Sequence, residues 1–101
     1  MIIIYVEAKV DPADMPAARD LARAMVTETR KEDGCLAYAF SEDLLEPGLI
    51  RVFEKWRDAE AIRAHFGTPH MAAFNAGLAK LRLERADMRM CDASNDRPLA
   101  L

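Results

Sequence analysis

The first ten residues constrain the fold more than any other stretch. Ile2, Ile4, Val6, Ala8 and Val10 are apolar at every second position, while Tyr5, Glu7 and Lys9 alternate with them beside Ile3. Successive side chains of a strand point to opposite faces, so this segment reads as a strand with one dry face and one mixed face. Asp11-Pro12 follows at once and reads as a helix start, Asp as N-cap and Pro at the first helical position. Asp14 and Asp20 place negative charge in the first half of that helix, which suits its dipole. Met15, Ala18, Leu21, Ala22, Met25 and Val26 recur at helical spacing. One helix face therefore packs on a core. The helix is expected to stop near Asp33-Gly34, with Gly34 supplying the positive φ of a C-terminal cap.

The remaining elements follow from the same two periods. A second strand is expected over about Cys35 to Glu42, with Leu36, Tyr38 and Phe40 as its large face and Ala37, Ala39 and Ser41 as its small face. Glu46-Pro47-Gly48 is a turn. Leu49 to Trp56 reads as a third strand, with Ile50 and Val52 on one side and Arg51, Phe53 and Lys55 on the other. Asp58 caps a short helix, Ala59 to Phe66, which Gly67 breaks. Thr68-Pro69 starts another helix, running to about Leu81 with Met71, Phe74, Leu78 and Leu81 as its stripe. Arg82 to Cys91 is expected as a fourth, charged strand. The domain thus spans residues 1–91. The tail from Asp92 to Leu101 is expected to be disordered or packed on a partner subunit.

Strand, helix, strand, strand, helix, strand is the β-α-β-β-α-β order of an α+β, ferredoxin-like fold. The helices are then expected to cover one sheet face. The other face would expose Tyr5, Glu7, Ala37, Ala39 and Phe53, too apolar a set to leave wet. A second copy is the simplest cover, so a homodimer with sheets face to face is expected.

Composition narrows the function classes. A chain of 101 residues fits one domain. The net charge of −3, with Lys and Arg spread along the chain, gives no electrostatic footprint for nucleic acid. The N-terminal apolar run, Met1 to Val6, is too short for a signal peptide or a membrane span. A soluble cytoplasmic protein is therefore expected, with Cys35 and Cys91 as free thiols.

The middle of the chain carries a family resemblance. It contains Glu32-x-Gly34-Cys35-x-x-Tyr38, then Glu54-x-Trp56-x-Asp58, then His65-x-x-Thr68-Pro69-His70-Met71. In this order and spacing the pattern resembles the antibiotic biosynthesis monooxygenase family, which includes quinol monooxygenases and autoinducer-2 degrading isomerases. The resemblance covers about residues 1–91. It implies a dimeric α+β barrel with an apolar pocket between sheet and helices in each subunit. It further implies oxidation of a small quinol-like or phenolic substrate by O2 with no flavin or metal cofactor. One branch of the family degrades haem. Its pocket Asn would fall at Ala8, its Trp near His65 and its iron-binding His near Asn75. None is retained, so haem degradation is not expected.

The residues able to carry chemistry lie in the same stretch. His65 and His70 flank the Gly67 break, and an imidazole is the side chain best placed to move protons at neutral pH. A cofactor-free oxygenase needs a general base to make an electron-rich anion of its substrate. His70 is expected in that role, with His65 positioning substrate. The same base would serve a proton-shuttling isomerase, and each His also has a purely structural reading. As a metal site the pair is weak: a spacing of five is off the i, i+4 face, and no Cys or further His completes a ligand set.

Glu54 shares strand parity with Ile50 and Val52, so it should point towards the helices. A carboxylate there needs a partner. A His would fit, as would Arg57 or Arg63 at the sheet edge. Trp56, Phe74 and Tyr38 are expected to line an aromatic pocket, and Ala8 to leave it volume. Plain core packing is the alternative for each. Cys35 reads as core, because a thiol at a helix C-terminus is not activated. A non-catalytic ligand-binding module remains the contrasting class, since fold does not fix function.

Overall fold

A computed structural model describes residues 1–101. Strand β1 (Ile2–Val10) leads through a 3-10 turn at Pro12–Asp14 into helix α1 (Met15–Thr29). Strands β2 (Cys35–Glu42) and β3 (Leu49–Trp56) form a hairpin, followed by helices α2 (Ala59–Phe66) and α3 (Pro69–Leu78) and strand β4 (Leu83–Asp92). The strands pair in the order β2-β3-β1-β4, and every neighbouring pair is antiparallel. This is the α+β, ferredoxin-like arrangement read from the alternating periods.

The helix boundaries differ from the sequence expectation for local reasons. Asp11 does cap, its carboxylate accepting from the Ala13 N–H, but it caps the 3-10 turn. Pro16 then falls in the first turn of α1. Proline has no N–H to donate and its ring excludes the carbonyl four residues back, so α1 cannot begin a full turn earlier. At its other end α1 stops at Thr29. The chain winds down through tight turns, Lys31 N–H to the Glu28 carbonyl and Glu32 N–H to the Thr29 carbonyl. Gly34 does take a positive φ of 83°, but it lies in the connection to β2 and is not the helix cap. Helix α3 ends at Leu78, three residues short of the expected Leu81.

The dry face of β1 behaves as its alternation requires. Ile2, Ile4 and Val10 are buried, and Ile2 and Ile4 join Trp56, Ala61 and Ile62 in one core cluster. Met15 and Ala18 of α1 close on Val10, while Met25 packs with Tyr38 and Val52. Each of the buried Ile, Val and Met side chains stabilises the fold by about 1.5–3 kcal/mol when fully buried. Leu36 corrects the reading of β2. Cys35 pairs with Trp56 and Ala37 with Lys55, so a bulge falls at Leu36. The extra residue restarts the parity: Cys35 packs against the core and Leu36 is 54% exposed.

A second correction concerns coverage. The helices leave β4 exposed along its whole length, with α3 leaning on α1. Met88 and Met90 pair with Val6 and Ile4 and so share their side of the sheet, yet both are exposed. On the opposite face Tyr5 and Phe53 are also exposed, beside a Glu7–Arg51 ion pair at 3.6 Å. After β4 the chain stays on the sheet for a few residues. Ala93 exchanges hydrogen bonds with Met1, and Asp96 meets Lys55 at 2.7 Å. No helix is long and apolar enough to cross a membrane.

Candidate active site

Between the sheet and the helices lies a cavity of about 170 Å³. Eighteen of its 21 wall residues are apolar, so its chemistry falls to the other three: Glu54, His65 and Asn75. The walls follow from parity. Ile4, Val6 and Ala8 come from β1, Tyr38 and Phe40 from β2, and Val52 and Glu54 from β3. Phe66, Met71, Phe74 and Leu78 come from the helices. Ala8 adds little bulk at the centre of β1.

His65 is positioned by the break between α2 and α3. The carboxylate of Asp58 caps α2 by accepting from the Ala61 N–H at 2.9 Å. The Thr68 hydroxyl accepts from the Met71 N–H and donates to the His65 carbonyl at 2.7 Å. One threonine thus ends α2 and starts α3, fixing His65 and His70 on either side of the joint. The His65 ring is 1% exposed, tilted over Trp56 at a centroid distance of 4.9 Å and edge-on to Tyr38 at 5.5 Å.

Glu32 holds both imidazoles. Its Oε2 lies 2.7 Å from His65 Nδ1 and 2.7 Å from His70 Nε2. A carboxylate oxygen accepts, so each of those nitrogens is the one that donates. That leaves Nε2 as the basic nitrogen of a neutral His65. Glu32 reaches the two rings because Gly34 lets its segment press on α2. A side-chain carbon at Gly34 would sit 2.6 Å from the Ala61 Cβ. The Arg57 N–H also binds the Gly34 carbonyl at 2.8 Å.

Glu54 is buried and pairs across the sheet with Ile4 and Tyr38. Its partner is neither a His nor an Arg. Trp56 Nε1–H donates to Glu54 Oε1 at 2.9 Å, while Arg57 is engaged by Asp33 and Asp58. Burial pushes the Glu54 carboxyl above the usual range, partly opposed by the Trp56 hydrogen bond and by His65. Burial, followed by the charges of Glu54 and Glu32, raises the Tyr38 phenol and keeps it neutral. Burial likewise raises the Cys35 thiol, in line with a core role.

The sequence-expected residues thus divide. Glu54, His65, Tyr38, Phe74 and Ala8 meet at the cavity. Trp56 does not line it. It is wholly buried behind His65 and acts on the site through Glu54. His70 stands outside the wall; it shares Glu32 with His65, and its ring lies 6.0 Å from the His65 ring. Glu32 was visible as the first member of the shared pattern, but nothing in its spacing showed that it binds both His. A larger, more open cleft of about 510 Å³ runs between α1 and β2. It carries arginines and no imidazole, and Arg19 there is occupied by Glu42.

Comparison with known proteins places this geometry. Residues 1–77 match the family model described as antibiotic biosynthesis monooxygenase. Rv0793 of Mycobacterium tuberculosis, whose name assigns it provisionally as a monooxygenase, is 37% identical over 70 residues, 69% of this chain and 68% of that protein. Its solved structure superimposes with a TM-score of 0.84 over 94% of this chain and 96% of that one, at 27% identity. A structure from Deinococcus radiodurans, provisionally assigned to the same family, gives a TM-score of 0.90 at 26% identity, with 99% of each chain covered. The uncharacterized Synechocystis protein sll1783 is 33% identical over 73 residues, 72% of this chain, but the match spans only half of that protein. The matched residues include all of β1 through α2, and with them Glu32, Glu54, His65 and His70, so the chain belongs to the antibiotic biosynthesis monooxygenase family.

Proposed function

We propose that the cavity is the active site of a monooxygenase that oxidises a small phenolic or quinol-like substrate with O2, using His65 as general base. The observation that carries this reading is the His65 ring itself: buried in an apolar wall, its Nδ1 tied to Glu32 and its Nε2 left as the proton acceptor. A base within hydrogen-bond reach of a phenol removes its proton as charge develops, typically accelerating the reaction by about 10²–10⁴-fold. The phenolate is electron-rich and transfers an electron to O2. Recombination at a para carbon that bears hydrogen forms a C–O bond, and the proton returned from His65 makes the resulting peroxide a hydroperoxide. Loss of water, in which the para hydrogen leaves with the outer oxygen, gives a quinone. Phenol and O2 thus give quinone and H2O with atoms and electrons balanced. No electron donor beyond the substrate is required. Apolar walls suit a flat aromatic substrate, and Glu32 stabilises the imidazolium that forms.

Glu54 in the same cavity favours a second reading. Two acid/base groups facing one small cavity also suit an isomerase that moves a proton between two carbons of a carbonyl compound. An oxygen-electrode screen with reduced naphthoquinones and polyphenols separates the two. Uptake of O2 that His65→Gln abolishes supports the oxygenase. Isomer formation without O2 uptake supports the isomerase. No turnover in either assay favours a binding module.

The exposed Tyr5 and Phe53 support a homodimer with sheets face to face. Light scattering should then report twice the 11.3 kDa chain mass. A clean monomer at micromolar concentration would count against it.

A further inference from the structure

We propose that Glu32 Oε2, His65 Nδ1 and His70 Nε2 form a binding site for one divalent transition-metal ion, with Zn²⁺ as the simplest occupant. Spacing in the sequence does not suggest it, because the third ligand is a carboxylate more than thirty residues upstream of both His. In the fold the three ligand atoms all lie within 4.8 Å of one another. They come from three separately anchored segments: the α1–β2 connection, the last turn of α2 and the first turn of α3. Two imidazoles and a carboxylate are a zinc-type donor set. Nitrogen donors and a single carboxylate disfavour Ca²⁺ and Mg²⁺, which take oxygen ligands.

The three ligand atoms start close together and must shift to take an ion. Both Glu32–His separations are 2.7 Å, the length of hydrogen bonds. An ion with bonds of about 2.0–2.1 Å wants neighbouring ligand atoms roughly 3 Å apart. The carboxylate therefore moves outward by a few tenths of an ångström, the two imidazole nitrogens, which lie within 4.8 Å of each other, close on the ion, and each ring carries its proton on its other nitrogen once the ion is bound. The side chains of Glu32 and His70 are 13% and 18% exposed, which leaves a narrow approach from solvent for a bound water.

The site lies behind the cavity wall and not within it, since neither Glu32 nor His70 lines the cavity. The ion would therefore not meet the substrate. It would act through the His65 ring, which with the ion on Nδ1 carries its proton on Nε2 and has no free nitrogen left to accept another. Metal-loaded protein is then the silent form. This last consequence rests on the proposed role of His65 as base; the binding itself does not.

The test uses chelator-stripped protein carrying Cys91→Ser, which removes the exposed thiol as a competing ligand. Calorimetric titration with ZnCl2 should show one ion per chain, and Co²⁺ should develop visible ligand-field absorption. Glu32→Gln and His70→Ala, each checked for folding by circular dichroism, should each weaken binding by about 10–100-fold. No saturable binding, or binding unchanged in both variants, overturns the site. Neither readout uses turnover, so a failed oxygen-uptake screen leaves the isotherm standing and a flat isotherm leaves the oxygenase reading standing.

Discussion

Two carboxylates flank His65, and they reach it from regions of opposite character. Glu54 lies inside β3, where its direction is set by strand parity with Ile50 and Val52. Glu32 lies in the turn between α1 and β2, where no period governs direction. Its place depends on Gly34 pressing against Ala61 of α2. Their electrostatic settings differ as well. Glu54 is buried against a single indole N–H, while Glu32 has two imidazole partners on one oxygen. The strand carboxylate is a constrained member of the cavity wall. The turn carboxylate holds the His65 ring from behind the wall.

If that division is right, the cavity-facing imidazole must matter most. His65→Gln keeps most of the volume and removes the basic nitrogen. It should lower kcat by about 10²–10⁴-fold with the fold retained. Wild-type turnover in that variant would remove His65 from the chemistry.

Glu32→Gln comes next. It keeps one hydrogen bond's shape and removes the charge that supports the imidazolium. A loss of about 10–10²-fold, falling on kcat with KM little changed, is expected, as for other groups that orient a functional His. A rise in KM alone would mean that Glu32 touches substrate, which the cavity wall argues against. Gly34→Ala attacks the same support through the backbone. A side chain at positive φ costs about 1–2 kcal/mol, and the contact with Ala61 adds to it. The melting temperature should fall by several degrees, with about 4–8 °C lost per kcal/mol.

His70→Ala should cost less than about 10-fold, because His70 leaves Glu32 and His65 in contact when it is removed. This order inverts the sequence expectation, in which His70 was the base. The reason is physical. Sequence places both rings beside the Gly67 break but cannot say which one faces the sheet. His65 ends α2 on the side that carries Ala61 and Ile62 into the core, and so points inward. His70 opens α3 on its partly exposed side.

The same limit explains the rest of what was and was not legible. Strands β1, β2 and β3 and helix α2 fall where periodicity and caps place them, because each is bounded by a local signal: Asp11, Gly34, Gly48, Asp58, Gly67. Pro16 was also a local signal, and it accounts for the late start of α1. Leu36 was not legible, since a bulge depends on the partner strand. Trp56 shows a subtler gap. Its burial could be foreseen, but its service as donor to Glu54 required that two side chains on one face of β3 bend together.

The smallest effect tests the strand carboxylate. Burial raises the Glu54 carboxyl above its ordinary range in the folded protein. A raised value means that the native state favours the protonated form. Below the unfolded value both states carry the proton, and no penalty arises. As pH rises through the folded value the buried group must ionise, and stability is lost there. Glu54→Gln removes this titration and keeps an oxygen to accept from Trp56 Nε1–H. The variant should therefore melt a few degrees higher than the parent at pH 7, with the advantage shrinking to nothing as pH falls below about 4.3. The remaining carboxylates titrate alike in both proteins and cancel from the difference. Equal melting temperatures at pH 7 would show that Trp56 and His65 already compensate the Glu54 charge. An advantage that instead grew towards low pH would show that the ionised carboxylate stabilises the fold, and the contrast between the two carboxylates would then collapse into two well-paired anions around one imidazole.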